Sequence, residues 1–366
     1  MFSRVRGARI AAPLAVAATL GAAGLTAGAS GAVPVQSGAT TLATINDAGQ
    51  ATTFTLQWAS TVSPSSVVVI FHGHGHNAEE WQAAGELTTA AGRDNAVVVA
   101  PQTTETSAPN GKGTFDTVDE EARDAAAAIA WARATYHPRS TYLMCVSMGC
   151  TGMAYFIDAL GRPAAGDPDA SFVQGQNVGP ITGIVVSEGL SNLVETWAEA
   201  AVADTTSQGE IEAETGGNPA SAPAAYRSRS LALLRTFYLS RLHLQQAAVI
   251  HDVDDGLVPV NQAVETRAAL AAARVPFHGY TVVRSGYTKC STANQTTGTS
   301  YVGKYEQQYT GDRTVGNDID KWSCLAGHAT ETHPETPVMH TSFDVLHTMT
   351  TTGVARGETP VGIFIQ

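Results

Sequence analysis

The sequence predicts a three-layer α/β fold: a mostly parallel, eight-stranded sheet with antiparallel N-terminal strands, covered by helices on both faces. Three observations carry this. Short apolar runs recur at 66–71, 96–100, 142–146, 181–186, 247–250 and 279–283, as strands covered on both faces require. Helix-compatible stretches separate most of them. At the front, two alternating segments, 41–45 and 53–58, flank Asp47-Ala48-Gly49 and read as a hairpin.

The third strand, Ser66-Val67-Val68-Val69-Ile70-Phe71, runs into His72-Gly73-His74-Gly75-His76-Asn77. Asn77 followed by Glu80 resembles a capping box, opening a helix that carries Trp81 and Leu87 to the core. After the strand at 96–100 comes a polar loop, 102–116, and then an Ala-rich helix over 117–136, closed by Pro138. Its Asp119, Glu120 and Glu121 read as helix-dipole charges on a solvated face. The strand at 142–146 leads to a helix over 151–160, stopped by Gly161 and Pro163. Next come a strand at 181–186, a helix over 191–202 and a polar Gly/Pro/Ala-rich excursion at 204–225. A strand at 247–250, a helix over 261–273 and a strand at 279–283 restore the alternation.

One domain, 33–366, is expected, because the candidate site residues fall on both sides of a cap-like excursion at about 191–245. Residues 285–337 contain no convincing core element; loops of that length are usually functional or stapled. A last helical pattern covers 341–349.

Residues 1–32 combine Arg4, Arg6 and Arg9, an apolar stretch from Ile10 to about Leu25 and small residues at 27–32. That order reads as an export signal, so a secreted protein is expected; a retained membrane anchor is the alternative, and the apolar run is short and interrupted by glycine. Losing the three arginines and no acidic residue takes the formal charge from −12 to −15. Such a surface repels nucleic acid and anionic membranes, so neither is an expected partner. The 43% apolar content supports a sizeable core.

There are four cysteines, Cys145, Cys150, Cys290 and Cys324. An even count in an exported chain suggests two disulfides. Cys290–Cys324 would staple the 285–337 loop. Cys145 and Cys150 read either as a disulfide across a turn or as two small buried thiols. They lack the two further ligands a zinc site needs.

Between these two lies Cys145-Val146-Ser147-Met148-Gly149, small residues around a serine at a strand-to-helix corner. A serine there stands above the sheet with the next backbone N–H facing the same space. A hydroxyl is a weak nucleophile at neutral pH and needs a base, a group to orient the base and donors for the developing oxyanion. The glycines of 72–75 let amides turn inward, so the backbone N–H groups of His74 and Met148 are the candidate donors. His72, His74 and His76 also raise a metal site, but glycine between them breaks a regular strand and no nearby carboxylate adds a fourth ligand.

After the seventh strand stands His251-Asp252-Val253-Asp254-Asp255-Gly256-Leu257-Val258-Pro259. Here the chain resembles an α/β-hydrolase, and more narrowly the prolyl oligopeptidase-like and dienelactone hydrolase-like branch. The branch's His-Gly-x-x-Asp-x-x-Val-Pro pattern places the triad acid on Asp255; Asp252 stands where glycine is usual, which leaves Asp254 as a rival. Glu214-Thr215-Gly216-Gly217-Asn218-Pro219 and Tyr226-Arg227-Ser228-Arg229-Ser230 are similar to the stretch preceding that strand in the branch. The resemblance spans roughly residues 67–283. It implies a base in the loop after the last strand, where Gly327-His328 matches the Gly-His often found there. His340 is the alternative base, His333 also competes, and His347 reads as packing or surface.

The expectation is therefore a secreted serine hydrolase of carboxylic esters, in small molecules or polymers, with Ser147, His328 and Asp255 as triad and no metal or organic cofactor. A prolyl oligopeptidase-like peptidase is the alternative, though nothing before residue 40 supplies that family's propeller. A non-catalytic binding protein on the same fold is the third reading.

Overall fold

A computed structural model describes residues 33–102, 113–242, 244–252, 255, 258–282, 328, 337–352 and 363–365. Residues 1–32, expected to be a signal, Asp254, Cys290, Cys324, His333 and nearly all of residues 285–337 lie outside the described residues, so the expected Cys290–Cys324 disulfide does as well.

Strands β1 (Val35–Ile45), β2 (Ala51–Thr61), β3 (Ser66–Phe71), β4 (Ala96–Gln102), β5 (Ser140–Val146), β6 (Ile181–Ser187), β7 (Gln246–Asp252), β8 (Phe277–Val282) and β9 (Ile363–Ile365) form one sheet. Their order is β1-β2-β4-β3-β5-β6-β7-β8-β9. The hairpin pairs Val35 with Thr61 through to Ile45 with Ala51, and β2 lies antiparallel to β4. From β4 to β9 the pairing is parallel. The fold class matches the expectation, with one strand more than the eight expected. The extra strand, β9, has only three residues, too few to show a period in sequence.

The β-branched runs are buried from end to end in β3 and β4, and their alternation splits the core in two. Val67, Val69 and Phe71 face one layer, built with α3 (Val118–Tyr136), α4 (Gly149–Gly161), α5 (Pro168–Gly175) and α10 (Val260–Ala272). Val68 and Ile70 face the other, built with α1 (Ala78–Ala83), α2 (Glu86–Asp94) and α11 (Pro337–Thr351). The chain leaves β3 for β4 on one side and crosses to β5 on the other. That places a switch in strand order at the carboxyl ends of β3 and β5, where open α/β sheets bind ligands.

The capping box at Asn77 and Glu80 is formed and opens α1. The excursion is more helical than its composition suggests: α6 (Leu193–Ala203), α7 (Thr205–Thr215), α8 (Pro223–Ser228) and α9 (Thr236–Arg241) fill it. Asp204 caps α7 by accepting the N–H groups of Thr206 and Ser207, and the helix buries only Ile211 and Thr215, too few apolar positions to show as a face.

The acidic start of α3 is not a solvated face. Glu120 and Glu121 are buried, and Asp119 pairs with the fully buried Arg123. Arg123 also reaches Asp47 in the hairpin turn and Asp169 on α5, joining three elements through one guanidinium. A second network passes through Tyr155, whose ring lies 4.5 Å from the Arg162 guanidinium carbon and 4.2 Å from that of Arg229. Arg229 in turn holds Glu214 at 2.6 Å, tying α7 to the segment after α8.

Candidate active site

Ser147 follows β5 directly and takes a left-handed backbone, φ 52°, before α4 begins at Gly149. A side chain other than glycine in that region costs about 1–3 kcal/mol, so the surroundings must hold it. They do so through three backbone hydrogen bonds. Ser147 N–H donates to Ser187 O at 3.1 Å, and Ser147 O accepts from Cys150 N–H and from Leu190 N–H, both at 3.1 Å. The small residue at 149 is required by packing: a Cβ there would lie 2.4 Å from Phe71 O.

Cys145 and Cys150 are joined by a disulfide, with Cα atoms 4.9 Å apart. The bond spans the corner, linking the end of β5 to the first turn of α4 on either side of Ser147. Gly189 leaves room for it, since a Cβ there would meet Cys150 Sγ at 2.6 Å.

Asp255 sits in the loop after β7, fully buried, with Oδ1 accepting Val258 N–H at 2.8 Å. Its other oxygen, Oδ2, lies 2.7 Å from His328 Nδ1. His328 is itself buried at 3% exposure. A single Nδ1–H donated to a carboxylate fixes the imidazole tautomer and leaves Nε2 as the proton acceptor. His251, at the end of β7, donates Nε2–H to Val258 O at 2.8 Å and stands 3.7 Å from Asp255 Oδ2. Burial holds its pKa below the usual histidine value.

The residues at 72–76 are held from several sides. His72 N–H donates to Glu121 Oε1 at 2.9 Å, which gives the buried acid of α3 a local role. Gly75 N–H bonds Gly113 O, and His76 N–H bonds Gly73 O. The amides of His74 and Met148 have no acceptor among the described residues. The three imidazoles do not converge: His74 Nε2 lies 2.8 Å from Glu210 Oε2 on α7, and His76 Nδ1 lies 2.7 Å from Glu80 Oε2.

Of the other late histidines, His347 pairs with Asp94 Oδ1 at 2.8 Å on the α2 side of α11, consistent with packing. His340 lies within α11, with its side chain outside the described set.

Sequence reasoning missed Glu188. It follows β6 as Ser147 follows β5, also with a left-handed backbone, φ 47°, and its N–H donates to Ile250 O at 2.9 Å. Its carboxylate is fully buried, with Oε2 3.3 Å from His328 Nδ1. An acid directly after a buried parallel strand, Ser187-Glu188-Gly189, was the available signal. Glu188, Asp255 and His328 are also the one group of potential metal ligands among the described residues, with their atoms within 4.8 Å of one another. The 2.7 Å contact at Nδ1 is the geometry of a protonated nitrogen on a carboxylate, so a cation would have to displace that proton.

Over this corner lies an apolar cluster of Phe115, Met148, Leu190, Leu193, Ile211 and Tyr226, closed by Val258. The excursion helices thus put apolar side chains next to the serine corner.

No protein-family model matches the chain, and no curated protein matches it in sequence. Solved structures do. Carboxyl esterase 2 from the mycorrhizal fungus Tuber melanosporum superposes with a TM-score of 0.52 at 12% identity, over 87% of this chain and 88% of that one. A carboxylesterase from Lactobacillus plantarum gives 0.46 at 15% identity, over 73% and 90%. Acylaminoacyl peptidase from Pyrococcus horikoshii gives 0.46 at 10% identity, over 68% of this chain and 37% of that one. The fold assignment rests on the first of these together with the strand order: the chain has the α/β-hydrolase fold.

Proposed function

We propose that the protein is a serine hydrolase of carboxylic esters. The observation that carries the reading is the buried hydrogen bond between Asp255 and His328, beyond the carboxyl end of β7, on the same side of the sheet as the strained Ser147 corner after β5. The segment 187–190 supports it, because it bonds Ser147 through two backbone contacts and carries Glu188 to His328.

In this reading His328 Nε2 takes the Ser147 hydroxyl proton as Oγ attacks the ester carbon. Asp255 orients the imidazole and stabilises the imidazolium. The His74 and Met148 amides receive the oxyanion, a term worth about 3–4 kcal/mol per donor in related chemistry. His328 then protonates the departing alcohol, and water, activated by the same nitrogen, releases the acid from the acyl-enzyme. Every proton moves through a protein group. The Tuber melanosporum protein, named as an esterase, agrees with the ester reading by analogy of fold. The basic, apolar and small-residue segments of 1–32 support export.

The test is a panel of p-nitrophenyl esters set against prolyl and basic peptide substrates. Ester turnover that Ser147→Ala abolishes is the expected result. Turnover of peptides alone would replace this reading with a peptidase.

A further inference from the structure

The carboxyl ends of adjacent strands β6 and β7 each deliver a buried acid to one imidazole. Asp255 Oδ2 lies 2.7 Å from His328 Nδ1 and Glu188 Oε2 lies 3.3 Å from the same atom. Both carboxylate side chains are fully shielded from water, and the His328 side chain is nearly so. Glu188 holds this place on a left-handed backbone that disfavours its residue type, pinned by its N–H bond to Ile250 O across to β7. A buried acid held on a strained backbone against a histidine is costly to fold unless the contact is used.

We propose that Glu188 is a positioning residue of this site, sharing the Nδ1 face of His328 with Asp255 and stabilising the imidazolium formed when Nε2 takes up a proton. This rests on the serine-hydrolase reading for its use, although its geometry does not. The nitrogen has one proton, and the shorter contact gives it to Asp255. Glu188 then acts on the ring chiefly as a second oxygen dipole or charge at the Nδ1 edge, where low dielectric makes a 3.3 Å contact strong. When Asp255 is removed, Glu188 is already within reach of the same hydrogen.

Among the described residues, His251 on β7 stands 3.7 Å from Asp255 Oδ2, and the charge of Arg267 on α10 acts on His251. A pH readout at His328 separates a carboxylate acting on the ring from one that only packs.

The experiment is an NMR titration of the His328 imidazole in the full-length protein, its signal assigned by loss in His328→Ala. In Glu188→Gln the midpoint is expected to fall by about one pH unit, because a favourable partner of the protonated ring is gone. In Asp255→Ala, with Glu188 as the remaining carboxylate, the midpoint is expected to lie above that of the Asp255→Ala, Glu188→Gln double variant. The Asp255→Ala pair gives the proposal a second arm. An unchanged midpoint in Glu188→Gln, or equal midpoints in Asp255→Ala and the double variant, would overturn the proposal. Since this readout needs no turnover, the ester reading can fail by loss of Ser147 reactivity while the Glu188 assignment stands, and the reverse.

Discussion

Asp255 and His328 stand 73 residues apart in sequence and share a 2.7 Å hydrogen bond between Oδ2 and Nδ1 with both side chains out of water. His328→Ala should lower kcat/KM on a p-nitrophenyl ester by about ten-thousand-fold or more, the scale of losing the base in a triad. Asp255→Ala should cost less, about a hundred- to a thousand-fold, since Glu188 remains beside the ring. Steady-state kinetics on the two variants checks the order; equal losses would remove the second carboxylate from the account.

The Cys145–Cys150 disulfide closes a loop of sequence separation 5. Chain-entropy arguments give such a loop about 2 kcal/mol of stability. Thermal unfolding with and without reductant should show a lower Tm on reduction, and Cys145→Ala with Cys150→Ala should reproduce it. Ester turnover should fall in parallel, because the bond braces the strained Ser147 backbone. An unchanged Tm would show that the corner needs no brace.

Buried His251 makes stability depend on pH. Its folded pKa lies below the unfolded value of 6.5, with burial the largest cause. The unfolded chain therefore binds a proton that the folded chain refuses, and stability is lost as pH falls below 6.5 toward the folded pKa. For one group the slope approaches about 1.4 kcal/mol per pH unit. Urea unfolding between pH 5 and 8 should show this decline, and His251→Gln should flatten it. A His251→Gln protein with the wild-type slope would assign the decline to other groups.

Glu214 and Arg229 meet at 2.6 Å with side chains only 6% and 8% exposed. Burial pushes Glu214 up to about 8 even beside the guanidinium. Removing one partner strands the other, so Glu214→Ala should destabilise by about 3–5 kcal/mol, whereas replacing both with methionine should cost much less. Denaturant unfolding of the single and double variants measures the difference. Equal losses would mean that packing around Tyr155, rather than the charges, holds α7 and α8 in place.

Much of the sheet was legible because runs such as Val67-Val68-Val69-Ile70 suit strands buried on both faces. β9 was not, since Ile363–Ile365 is too short to carry a period. α7 looks irregular in sequence because it buries two residues and so displays no stripe. The acids opening α3 mislead for a different reason. A first-turn glutamate looks the same whether it faces water or, like Glu121, accepts the His72 amide from another element. The strand-to-helix corner at Ser147 showed in its small neighbours, and the choice between thiols and a disulfide at Cys145 and Cys150 waited on the turn geometry. Glu188 was invisible to motif reading because its role depends on a histidine brought in from residue 328 by the fold.

The proposed mechanism requires Ser147 to be a reactive serine. Incubating wild-type protein and Ser147→Ala with a fluorophosphonate probe, followed by intact mass and peptide mapping, tests this most directly. A single adduct on Ser147 in the wild type and none in the variant is the predicted result. Equal labelling of both proteins, or no labelling of a folded wild type, would contradict it.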